Sequence, residues 1–92
     1  MSDQQRTLAV DGTDYIVEQS VSWLYNSDGE PTTAAPRVTV TDIYGDLVGF
    51  AQDDYRTGVY NAFFIRGRQM SGTAETVAEA AALVIELNKA DS

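Results

Sequence analysis

The chain contains no cysteine and no histidine. The first absence removes disulfides, thiolate nucleophiles and soft metal ligands, and fits a reducing compartment. The second removes the commonest general base and the commonest transition-metal ligand. Basic residues are few, six against fourteen acids, for a net charge of −8. Nucleic-acid duplexes and anionic membranes both repel such a chain unless its bases cluster. No run approaches the ~20 apolar residues of a membrane-spanning helix. The polar start, Met1 to Arg6, and the short Leu8-Ala9-Val10 stretch do not make a signal peptide. The expected setting is therefore the cytoplasm, with no membrane partner.

What the chain does contain is one domain's worth of amphipathic pattern. Ninety-two residues with 43% hydrophobic content suit a single ordered domain, here read as residues 7–88, with a frayed 1–6 and a short tail 89–92. Thr7 to Val10 meets Asp11-Gly12, a strong hairpin signal because both turn positions favour positive φ. In the second strand Tyr15, Val17, Val21, Trp23 and Tyr25 share a face. Residues 26–36, with two prolines and a glycine, read as a long irregular loop. Val38, Val40 and Tyr44 then alternate with Thr39, Thr41 and Ile43, and Gly45-Asp46 suits a two-residue turn into Leu47–Ala51. Asp53 to Gly58 reads as a polar turn before a hydrophobic strand, Val59 to Ile65. Gly67 allows a sharp turn into a short edge strand, Arg68 to Met70.

One capped helix closes the chain, from Thr73 to about Asn88. Thr73 suits the N-cap and Glu75 the first turn, where the helix dipole favours an acid. Ala74, Val77, Ala80, Ala81, Val84 and Leu87 fall on one face at 100° per residue, and Glu75, Glu79 and Glu86 on the other. The fold class that follows is α+β: a single antiparallel sheet of five to six strands with one C-terminal amphipathic helix on one face. A helix of fifteen residues is only about 22 Å long, and nine aromatic residues are many for one thin layer. Either the sheet curls around the helix, or its uncovered aromatic area meets another copy or a partner.

Candidate chemistry is sparse. Carboxylates pair at turns, as Asp53-Asp54, Asp42 with Asp46, and Asp11 with Asp14, where acids cap backbone amides. Asn26 to Glu30 lacks the twelve-residue calcium pattern and its closing glutamate. Serines and threonines have no base beside them, and no glycine-rich phosphate loop precedes a helix. No catalytic residue, cofactor or metal site is assigned, and the chain is read as non-enzymatic. Arg56, Arg66 and Arg68 surround the Val59–Ile65 strand and could form a small basic tip that grips a phosphate backbone. The acids Glu75, Glu79 and Glu86, spaced by about 6 and 10 Å along the helix, could instead imitate a row of phosphates.

Three stretches carry a resemblance: Gly45-Asp46-Leu47-Val48-Gly49, Gly58-Val59-Tyr60-Asn61-Ala62, and Gly67 with Thr73 to Ala80. Over Val38 to Leu87 the chain resembles small proteins encoded by actinobacterial phages and their hosts. In those, a Gly-x-x-x-Gly strand precedes an aromatic-x-Ala strand and a Glu-Ala-rich helix. The layout is also similar to the arm-binding domain of tyrosine recombinases, but Thr39, Thr41, Gln52 and Asn61 stand where that family uses strand arginines and lysines. The phage resemblance implies an accessory protein acting by contact in a bacterial cytoplasm.

The expected function is a small acidic protein-interaction module that binds or inhibits another protein, alone or as a homodimer. Its expected interface is Trp23, Tyr25, Tyr44 and Tyr60, on the sheet face the helix leaves bare, because large aromatics anchor interfaces. The alternatives are an acidic mimic that blocks a nucleic-acid-binding protein through Glu75, Glu79 and Glu86, and a weak nucleic-acid binder using Arg56, Arg66 and Arg68.

Overall fold

A computed structural model describes residues 4–53 and 57–91. Residues 1–3, Asp54, Tyr55, Arg56 and Ser92 lie outside the described residues, as do the side chains of Gln4, Ser22, Leu24, Thr33 and Asp91. Six strands form one antiparallel sheet in chain order: β1 (Gln4–Val10), β2 (Thr13–Tyr25), β3 (Pro31–Asp42), β4 (Leu47–Gln52), β5 (Ala62–Ile65) and β6 (Arg68–Met70). One helix, α1 (Val77–Asp91), packs against it. Among the described residues β1 begins at Gln4 and α1 continues to Asp91.

Turn chemistry sets the meander. Asp11 and Gly12 have φ of 53° and 80°, the mirror-image turn expected from Asp-Gly, and they put Val10 opposite Thr13. The next two hairpins share one device. In Asn26-Ser27-Asp28-Gly29 the Asn26 side-chain oxygen accepts hydrogen bonds from the amides of Asp28 (2.9 Å) and Glu30 (3.0 Å). In Asp42-Ile43-Tyr44-Gly45 the Asp42 carboxylate accepts from Tyr44 (2.9 Å) and Asp46 (3.0 Å). The glycine amide of each turn bonds back to the carbonyl of Asn26 or Asp42. These are three-residue loops, so Gly45-Asp46 is not the two-residue turn read from the sequence. A side chain that hydrogen-bonds its own backbone two residues on fixes the loop without help from the core.

The stretch 26–36 is not an irregular loop. Only Asn26 to Glu30 turns; Pro31 onward is strand, pairing Pro31 with Tyr25, Ala34 with Trp23 and Pro36 with Val21. Both prolines fit because β3 joins β4 only from Arg37 to Thr41. An edge strand has no second ladder for the missing amide to break.

The helix also starts later than Thr73. Ala74 is drawn into the sheet: its amide and carbonyl exchange hydrogen bonds with Tyr60, at 3.0 and 2.7 Å. The chain then bends at Glu75 and Thr76, and the Thr76 hydroxyl accepts from the Glu79 amide at 3.1 Å and caps α1. The core lies between α1 and one sheet face. Val17, Val38, Val40, Ala51, Phe63 and Ile65 meet Ala80, Ala81, Val84 and Ile85. Small residues allow close approach. A Cβ on Gly49 would stand 2.6 Å from Ile65 Cδ1, 2.8 Å from the Phe64 carbonyl and 2.9 Å from Val84 Cγ1.

Candidate functional site: an exposed aromatic ribbon

Register decides what the helix covers. Among the described residues β1 pairs with β2 as far as Gln19, opposite Gln4, and β4 with β3 as far as Arg37, opposite Gln52. Among those same described residues, the ladders beyond those points join β2 to β3, with one further bond from the Asp53 amide to the Pro36 carbonyl at 3.0 Å. Residues 20–36 thus form a two-stranded ribbon that carries the β2–β3 turn at its far end. Thirteen residues of β2 span about 40 Å at ~3.3 Å each, against about 22 Å for the helix. The helix also runs the wrong way to follow the ribbon. Its last turn lies at the opposite end of the sheet, where Lys89 Nζ bonds Asp11 at 2.8 Å. Its first turn follows the Tyr60–Ala74 bridge, beside Gln52 and Asn61.

Side chains two apart share a face, so Val21, Trp23 and Tyr25 continue the row that begins with the buried Val17. Past the helix that row emerges into solvent: Val21 is 56% exposed, Trp23 54% and Tyr25 63%. Their cross-strand partners on the same face are Pro36, Ala34 and Pro31. All six are apolar. Trp23 and Tyr25 thus belong to the helix-side face, beyond the helix, rather than to the bare face.

The other two expected anchors lie elsewhere. Tyr44 tops the β3–β4 turn, 84% exposed. Its strand passes Ala34, Trp23's partner, eight residues before Asp42, which is about 26 Å away. Tyr44 instead borders an open cleft of about 580 Å³ with Asp14, Tyr15, Asp42 and Asn88. Tyr60 is half-buried against the core and pairs with Ala74 through its backbone. Burial, then the nearby Asp53 charge, pushes its phenol above the ordinary value. The four aromatics therefore do not make one surface.

Glu75, Glu79 and Glu86 are all exposed, on α1 and just before it. Of the turn acids, Asp42 caps its own loop, and Asp53 is 3% exposed and accepts from the amides of Thr57 (3.0 Å) and Gly58 (2.8 Å). Asp11 pairs with Lys89, which holds the carboxyl below its usual pKa. No group of three acids among the described residues could hold a metal ion. Arg66 and Arg68 stand at and after the β5–β6 turn, both exposed, and Arg56 lies outside the described residues.

A second cluster went unread in the sequence. On the face away from the helix the Arg37 guanidinium sits 4.3 Å above the Phe50 ring. It donates to Gln52 Oε1 at 3.0 and 3.1 Å, and Phe50 stacks on Phe64 at 4.8 Å. This cluster is why the bare face needs less cover than a count of aromatics suggests. Its signal was the register, Arg37 opposite Gln52 and Phe50 opposite Phe64, which spacing within one strand cannot reveal.

Comparison with protein families, with curated proteins and with solved structures gives no match.

Proposed function

We propose that the protein is a non-enzymatic interaction module whose ribbon docks onto another protein. The observation that carries this reading is the apolar face of residues 20–36, where Val21, Trp23 and Tyr25 stand exposed beside Pro31, Ala34 and Pro36. A lone two-stranded ribbon is marginally stable in water, so large apolar side chains at its exposed end cost solubility and add nothing to the core. Tryptophan and tyrosine are the side chains that most often anchor protein interfaces. In this reading the phage-type layout of Val38–Leu87 belongs to an accessory protein that acts on a host protein in a bacterial cytoplasm.

The exposed acids Glu75, Glu79 and Glu86 support a second reading, a phosphate-imitating surface that blocks a nucleic-acid-binding protein. A photo-crosslinking residue in place of Trp23, and separately of Glu86, tests the two in host cells. Adducts at position 23 alone are expected. Adducts at position 86 alone would favour the acidic surface, and none at either would sink both.

A further inference from the structure

The partner's chemistry follows from three properties of the ribbon, given the reading that the ribbon docks. The first is area. Five residues on each of two strands make a face of about 16 by 10 Å, far below the ~800 Å² that each side of a standard interface contributes. So small a face suits a short segment better than a second folded copy. The second is the edge. Pro31 and Pro36 have no amide to give, and Pro36's carbonyl already accepts from the Asp53 amide at 3.0 Å. A strand laid along the β3 edge would find few partners, so on that side recognition falls to side chains on the face.

The third is charge. Asp28 and Glu30 are exposed at the ribbon's tip. Glu75 and Glu79 are exposed at the start of the helix, which enters at the ribbon's base beside Gln52 and Asn61. The basic Arg37 is turned to the opposite face, over Phe50. The strand cations on this side, Arg6 opposite Val17 and Arg68 opposite Ile65, stand in the Val17 row, about 20 Å along the strand from Trp23. Acids therefore stand at both ends of an apolar strip. A second copy carrying the same −8 charge would be repelled, whereas a cationic segment would be drawn in.

We infer that the ribbon's apolar face, flanked by Asp28, Glu30, Glu75 and Glu79, binds a short lysine- or arginine-rich peptide segment that places apolar side chains against Trp23 and Tyr25.

A display library of short random peptides, selected on the full chain and counter-selected on a Trp23→Ser/Tyr25→Ser variant, tests this. Both substitutions fall on exposed positions, and circular dichroism checks that the variant folds. Recovered peptides should combine basic and apolar residues. They should bind the variant about tenfold or more weakly, and binding to the wild type should weaken several-fold between low salt and about 0.5 M salt. A Glu75→Lys/Glu79→Lys variant should weaken them too. Ribbon-dependent peptides that are acidic or neutral would overturn the charge assignment while leaving the docking surface in place. Peptides indifferent to Trp23 and Tyr25 would sink the inference and the docking reading together. Light scattering is the last arm. Dimers that dissociate in the serine variant would give the face to a second copy and overturn the inference.

Discussion

Substituting Gly49 by alanine should loosen the helix from the sheet. The added methyl would meet Ile65 Cδ1, the Phe64 carbonyl and Val84 Cγ1 at 2.6, 2.8 and 2.9 Å. Carbon atoms prefer about 3.5–4.0 Å. Ile65 can rotate, but the Phe64 carbonyl belongs to β5, the strand beside β4, and Val84 is fully buried. Relief must come from moving α1 outward and from shifting β5 against β4. Overpacking of this kind costs about 1–3 kcal/mol, and three simultaneous clashes place it at about 3 kcal/mol. Replacing glycine in a strand returns roughly 0.5–1 kcal/mol of backbone entropy. The net loss is therefore about 2 kcal/mol. A chain of this length has roughly 5–14 kcal/mol in all, so the midpoint of thermal unfolding should fall by roughly 8–16 °C. Urea denaturation should show the same loss with an unchanged slope. Combining Gly49→Ala with Val84→Ala should cost less than the sum of the two, because the second change removes one wall of the clash. A Gly49→Ala protein with a wild-type midpoint would refute the close approach of helix and sheet.

Thr76→Ala should cost about 1 kcal/mol by removing the cap on the Glu79 amide, whereas Thr73→Ala should cost little; equal effects in urea denaturation would return the helix start to Thr73. Asp53→Ala strands the amides of Thr57 and Gly58 and should cost about 1–3 kcal/mol. In Asp53→Asn the Tyr60 phenol, followed by ultraviolet titration, should fall toward its ordinary pKa yet stay above it, because burial is its larger cause. The Asp11–Lys89 pair lowers the acid's pKa and raises the base's. Its stabilisation should be lost as pH falls through Asp11's depressed value and as pH rises through Lys89's elevated one. Asp11→Asn keeps an Asn-Gly turn and should remove both limbs; because the pair is exposed, the two proteins should converge at high salt. Trp23, the only tryptophan, should emit at a long, water-like wavelength and be quenched by iodide in the free protein, and a blue emission would contradict its exposure.

Local signals were legible where a residue's preference and its neighbours agreed. Asp11-Gly12 specified its hairpin, and the alternation from Tyr15 to Tyr25 specified a strand. The 3.6-residue period of Val77 to Leu87 specified a helix whose buried line runs through Ala80, Ala81 and Val84. The misreadings share a cause. Thr73 and Thr76 are equally good caps in isolation, and the choice fell to the Tyr60–Ala74 bridge. Pro31 and Pro36 read as loop because proline breaks a central strand, and only pairing partners reveal an edge. Asp42 caps its turn as acids at turns are expected to, and the matching cap by Asn26 is legible from its own residues.

Residue types alone excluded thiol and histidine chemistry and left no apolar run long enough for a membrane-crossing helix, and their periodicity settled the α+β class with its single closing helix. Those properties are local or additive, so one dimension suffices. Where β4 leaves β3, which way α1 runs, and hence why Trp23 and Tyr25 stand in water while Tyr60 is half-buried, were settled only by tertiary pairing. Exposure depends on which strand lies alongside, and that is a property of partners far apart in the chain.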